Sequence, residues 1–149
     1  LKGMRAKLGL FHEESEDELL ISNLLTIMEK YHADYTNTFL ALTFKRYDDS
    51  NLFSSHEFDK WHIEWNKRLK RQSESEDLSY KLMLNSNPAL IPRNHKVEEA
   101  LTAAMKDDYT PMKVFLDVLS NPYAHTEKQA DFSAMPNPSD CNYRTFCGT

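Results

Sequence analysis

The sequence predicts an all-α protein, an irregular helical subdomain followed by an extended polar tail. Three observations carry that expectation. Only three glycines, Gly3, Gly9 and Gly148, occur in 149 residues, which leaves few positions for the tight turns of β-hairpins. Apolar residues recur at three- and four-residue spacing rather than alternating. Several of these stripes follow a Ser, Thr, Asp or Asn with a carboxylate or a proline just inside, which is how helices begin.

Taken in order, Leu1 to Leu10 reads as the end of an element. Ser15-Glu16-Asp17-Glu18 is a capping box with extra negative charge at a helix start. Leu20, Leu24, Ile27, Met28 and Tyr31 form the face of the helix that follows. Asp34 is placed to cap a helix carrying Tyr35, Phe39 and Leu42, and the polar run from Arg46 to Asn51 reads as a loop. Ser54-Ser55-His56-Glu57 is a second capping box. It opens the most strongly patterned stretch, with Phe58, Trp61, Trp65 and Leu69 on one stripe and a basic end, Lys67 to Arg71, that suits a helix C-terminus. Ser73 to Asp77 is an acidic linker or a fresh cap, before a short helix with Leu78, Leu82 and Met83.

The stretch Asn87 to Glu98 is a pivot. Pro88 and Pro92 hold the residues before them out of the α region, and Asn94 is the expected N-cap of the next helix. Val97, Ala100, Leu101, Ala104 and Met105 make its stripe. Thr110-Pro111 then reads as a cap with proline at the first helical position, and Phe115, Leu116 and Leu119 face back. The short connection favours an antiparallel pair. From Asn121 the chain carries Pro122, Pro136 and Pro138 and few apolar residues. The expected organisation is therefore a helical subdomain over 1–120 and a tail over 121–149 that is either disordered or laid across something else.

Composition limits the function classes. The length suits one hydrophobic core. A net charge of −5 argues against a nucleic-acid partner, which would need a basic face. No apolar run approaches the about 18 residues of a membrane helix. Cys141 and Cys147 are too few and too close to be a disulfide framework, so a reducing cytoplasm is the expected compartment. The chain starts at Leu1 without a charged-then-apolar leader, and it reads as an excised piece without a secretion signal.

Few residues suggest chemistry. His56 and His62 are six apart, whereas a helical zinc site needs four. Cys141 and Cys147 are spaced too widely for a zinc ribbon or a redox pair. Trp61 and Trp65 read as core packing, or otherwise as a face for a partner. Arg93, Asn94 and His95 crowd a rigid, proline-framed corner. They read either as helix-start polarity with an ion pair to Glu98 or Glu99, or as groups that pack against another lobe. No glycine-rich phosphate loop is present.

Five words in order carry a resemblance to a known family: Met4-Arg5-Ala6-Lys7-Leu8-Gly9-Leu10, Asp34-Tyr35-Thr36-Asn37-Thr38-Phe39, Ile91-Pro92-Arg93-Asn94-His95 with Val97-Glu98-Glu99-Ala100, Leu119-Ser120-Asn121-Pro122-Tyr123, and Thr145-Phe146-Cys147-Gly148-Thr149. Together they resemble the C-terminal part of the selenoprotein O family, known as YdiU in bacteria. The resemblance spans the whole chain. It implies a parent with a protein-kinase-like fold that transfers AMP from ATP, with Mg²⁺ or Mn²⁺, to hydroxyl side chains of proteins. The family's nucleotide- and metal-binding residues lie upstream of the first word, so no catalytic, cofactor-binding or metal residue is expected in this chain. Some members carry selenocysteine where this chain has Cys147. That makes Cys147 a redox candidate, able to pair with a cysteine of the catalytic lobe; a lone terminal thiol and a local Cys141–Cys147 bridge remain the alternatives.

The expected role is structural: to buttress the missing catalytic lobe and to position the redox tail. The expected partners are that lobe, with the parent's protein substrates, and no nucleic acid or membrane. The excised piece is expected to self-associate. The alternative is a free-standing helical interaction module without catalysis. An excised buttress should show one large apolar patch, and a natural module a defined groove.

Overall fold

The helical periodicity is realised throughout the computed structural model, which describes residues 1–48 and 50–133. Among the described residues eight helices follow one another: α1 (Lys2–Lys7), α2 (Asp17–Lys30), α3 (Tyr35–Phe44), α4 (His56–Arg71), α5 (Glu76–Ser86), α6 (Asn94–Ala104), α7 (Thr110–Ser120) and α8 (Glu127–Ser133). No strand occurs among the described residues. The chain divides into two units, Leu1–Pro88 and Ala89–Thr149. The division falls inside the proline-framed pivot.

The first unit is built on α4. Phe58, Trp61 and Trp65 are buried, and they join Leu24 and Met28 of α2, Phe39 and Leu42 of α3, and Met83 of α5 in one core. Both tryptophans are core residues. Each indole N–H is satisfied by a backbone carbonyl, Trp61 Nε1 by Leu20 at 2.8 Å and Trp65 Nε1 by Leu8 at 3.0 Å, as a buried indole requires. The rings of Trp61 and Trp65 stack 5.5 Å apart.

Helix starts follow the sequence in part. Asp34 Oδ1 accepts from Asn37 N at 2.8 Å, and Ser75 caps α5 through Leu78 N. In the Ser54–Glu57 box the cap is Ser55, whose Oγ accepts from Phe58 N at 3.1 Å. Glu57 turns away to Lys30 and Tyr31. Ser15 does not cap α2, whose N-cap is Glu16 without a side-chain bond. Asp17 takes the Glu14 N–H at 2.9 Å instead and is itself held by Arg68. A buried guanidinium outbids a surface hydroxyl for the geometry of that turn.

The second unit has its own smaller core of Ala89, Leu90, Phe115 and Val118, with α6 and α7 packed on one another. Asn94 is not an N-cap here. Arg93 occupies that position in extended conformation, without a side-chain cap bond, and Asn94 is the first helical residue. Thr110 likewise lies inside α7, and Pro111 sits in its first turn behind Tyr109. Residues 121–133, read as the start of the tail, form a turn and α8. Gln129 is buried and donates to the carbonyls of Val118 and Asn121 at 2.9 and 2.7 Å, while Phe132 stacks on Phe115. The Ala89 N–H donates to the Pro122 carbonyl at 2.7 Å, tying the start of this unit to the turn after α7.

Candidate functional site

Two polar nodes and one groove organise the first unit. The first node is a buried ion pair. Arg68 is 2% exposed and Asp17 1%. Nε of Arg68 donates to Asp17 Oδ1 at 2.8 Å, and Nη2 donates to the His12 carbonyl at 2.8 Å. Nη1 lies 3.0 Å from Glu14 Oε1 but is misaligned for a hydrogen bond. Arg71 adds bonds to Glu14 and Glu16 at the surface. The basic end of α4, which reads in sequence as a solvated helix terminus, is therefore half a clamp on the loop before α2. Arg68 continues the stripe of Phe58, Trp61 and Trp65 at the next helical step, and that spacing is the signal that could have revealed it.

The second node is Asn87, the first residue of the pivot. It is 1% exposed. Its Nδ2 donates to the Lys7 carbonyl and to Thr43 Oγ1, both at 2.9 Å. Lys7 Nζ donates to the Ser86 carbonyl at 2.8 Å and sits over the rings of Tyr35 and Phe39. Burial lowers the Lys7 pKa. Two of the five sequence words thus meet here, through Lys7 and through Tyr35 with Phe39, beside the first residue of the pivot.

The groove, of about 770 Å³, lies among α3, α4, α5 and the loop after α3. Leu42, Trp65, Leu69 and Met83 line it. Phe44 meets Tyr80 edge-on at 6.3 Å, and Tyr47 packs against Phe53, Phe58 and His62. Tyr47 Oη and His62 Nε2 are 3.1 Å apart. Burial lowers the His62 pKa, helped by the nearby Lys45 charge and opposed by Asp59. Burial also raises the Tyr47 pKa. Both shifts favour the neutral form of a hydrogen-bonding pair on an aromatic wall. The separated His56 and His62 do not converge: His56 opens α4 at its first position.

In the second unit the corner carries Arg93 and His95 half-buried and Asn94 exposed. Glu99, a candidate partner for Arg93 or His95, pairs with Lys96 at 2.8 Å. Arg93, Asn94 and His95 are neighbours at a helix start. Cys141 and Cys147 lie outside the described residues.

Among the described residues no group of three or more His, Cys, Asp or Glu is placed to hold a metal ion. Among the same residues no helix is long and apolar enough to cross a membrane. Their arrangement offers packing, two buried polar clamps and a groove.

Comparison with known proteins gives this arrangement a context. A family model described as protein adenylyltransferase SelO matches residues 1–120. A Clostridium beijerinckii protein named protein nucleotidyltransferase YdiU is 58% identical over 149 residues. Proteins of the same name from Alkaliphilus metalliredigens and Bacillus cytotoxicus are 58% and 56% identical over 150 residues. Each match takes in 100% of this chain and 30% of the relative, so the chain spans about 30% of the length of the curated relatives it matches. With the family model covering most of its length, the chain belongs to the protein adenylyltransferase SelO family.

Proposed function

We propose that this chain is a non-catalytic helical region of a longer cytoplasmic enzyme that transfers AMP from ATP to hydroxyl side chains of proteins. The family match over residues 1–120 is the observation that carries the reading. In that reaction the hydroxyl oxygen bonds to the α-phosphorus, the bond to pyrophosphate breaks, and the hydroxyl proton is released. ATP and a divalent cation, Mg²⁺ or Mn²⁺, belong to the rest of the parent. This chain supplies packing. Arg93, Asn94 and His95 contribute a rigid polar corner for that packing, and protein substrates bind elsewhere.

Cys147 serves as a redox handle. Its thiol and a cysteine of the catalytic part form a disulfide, giving two electrons and two protons to a peroxide or a small disulfide. A tail that closes on a distant thiol costs little extra loop entropy for added length. Intact-mass and peptide mapping of the oxidised parent should find Cys147 in a mixed pair. Finding it as a thiol after oxidation removes this part of the reading.

The test of the main reading is transfer of label from ATP carrying it on the α-phosphate, comparing the parent with this chain. Label transfer by the parent alone is expected. Transfer by this chain would place a catalytic site within it, and transfer by neither would end the enzymatic reading. The excised chain should self-associate through surface that the parent covers, and sedimentation showing only monomer across a wide concentration range would refute that. The groove favours a second reading, a module that binds another protein, because a defined groove suits that role better than a broad patch does.

A further inference from the structure

We propose that Pro88 is a one-residue joint in the chain: backbone freedom between the two units is confined to Pro88 and the torsions beside it, because the chain is pinned within the first unit up to Asn87 and within the second from Ala89. The inference goes beyond the enzymatic reading, and its test does not read activity.

The first pin is Asn87, 1% exposed. Its backbone N–H donates to the Met83 carbonyl at 2.9 Å and closes α5. Its side chain donates to the Lys7 carbonyl and to Thr43 Oγ1, and accepts from Lys7 Nζ at 3.3 Å. All of these partners belong to the first unit. The second pin begins two residues on. Ala89 and Leu90, 7% and 1% exposed, lie in the core that holds Phe115 and Val118. The Ala89 N–H is bonded to the Pro122 carbonyl, again within one unit. Releasing either pin strands buried polar groups, which is costly. Between them stands Pro88, half-buried. Its ring fixes φ and leaves no N–H to be tied down. It also restricts the residue before it, and Asn87 is accordingly extended, at φ −113° and ψ 104°. The torsions left to turn are ψ of Pro88 and φ of Ala89. Hinges are commonly a few residues at the end of an element that absorb a change in φ and ψ. Here the partners of the pins lie far along the chain, at Lys7, Thr43 and Pro122, so the joint exists only once both units have folded.

The test uses the full-length parent, with spin labels on ketone-bearing residues in place of Lys60 on α4 and Lys113 on α7, both exposed. Pulsed dipolar spectroscopy reads the spread of the label-to-label distance. Pro88→Gly should broaden that spread about twofold or more, since glycine frees the φ that proline fixes. Asn87→Ala should broaden it as well, by releasing the first pin. Ile91→Gly should leave it unchanged, because Ile91 lies between Leu90 and Val97, which pack in the same core. A Pro88→Gly parent with the spread of the wild type overturns the proposal. Equal broadening by Ile91→Gly also overturns it, by spreading the freedom along the whole pivot. If Pro88→Gly fails to fold, as judged by its far-ultraviolet spectrum and Tm, Pro88→Ala is read in its place, and a spread no broader than that of the wild type overturns the proposal in the same way.

Discussion

Gly9 turns the chain between α1 and the core with φ of +74°. A Cβ there would lie 3.2 Å from Met83 Cγ and Sδ and from Ser79 Cβ. Gly9→Ala therefore combines a left-handed backbone penalty with a close contact on buried Met83, and it should cost about 1–3 kcal/mol in a denaturant melt. Glu57 makes a pH prediction. Its bond to Lys30, with help from its own backbone and from Tyr31, lowers its pKa to about 2. A carboxyl with a depressed folded-state pKa stabilises the fold above its unfolded value, and that contribution is lost as pH falls through the folded value. Stability should thus decline between the ordinary glutamate range and about pH 2. Glu57→Gln should flatten that part of the stability–pH curve. Both groups are well exposed, so salt should shrink the effect.

At the scale of elements, the clamp between α4 and the loop before α2 makes the largest prediction. Arg68→Met leaves Asp17, 1% exposed, as a buried charge without its partner. The expected loss is about 3–5 kcal/mol. Arg68→Met with Asp17→Leu should recover much of it, because the apolar pair leaves no charge behind. Equal instability of the single and double variants would contradict this account. Ser55→Ala removes the Phe58 N–H bond at the start of α4 and should cost about 1 kcal/mol. The Ser54–Glu57 signal located this helix start to within one residue. The signal at Ser15 failed because a cap is a local preference worth about 1 kcal/mol, and a buried ion pair overrode it. Asn94 and Thr110 each lie one position inside the helix they were expected to cap, behind Arg93 and Tyr109.

For the whole molecule, the proposed supporting role makes a kinetic prediction. In the full-length parent, Arg68→Met should lower the yield and the Tm of active enzyme while leaving kcat per folded molecule unchanged. A fall in kcat at constant folded fraction would show that this region acts on the reacting groups. Membership of the family was legible because five short words survive in order along the chain. The groove was not legible. Its lining comes from positions 42 to 83, and no spacing within one helix announces that α3, α4 and α5 will leave a space between them.

The sequence by itself determined the helical class, the Trp helix as core packing, the cap at Asp34, and the pivot at Pro88. Each depends on contacts within one or two turns, or on the fixed φ of proline. Tertiary structure alone decided that Arg68 is buried, that Asn87 joins Lys7 and Thr43, and that Gln129 and Phe132 belong to the second unit's fold. Those outcomes depend on partners 8 to 80 residues away in the chain, where burial and pairing are settled together. A polar side chain enters a core only when its partner is already placed there to receive it.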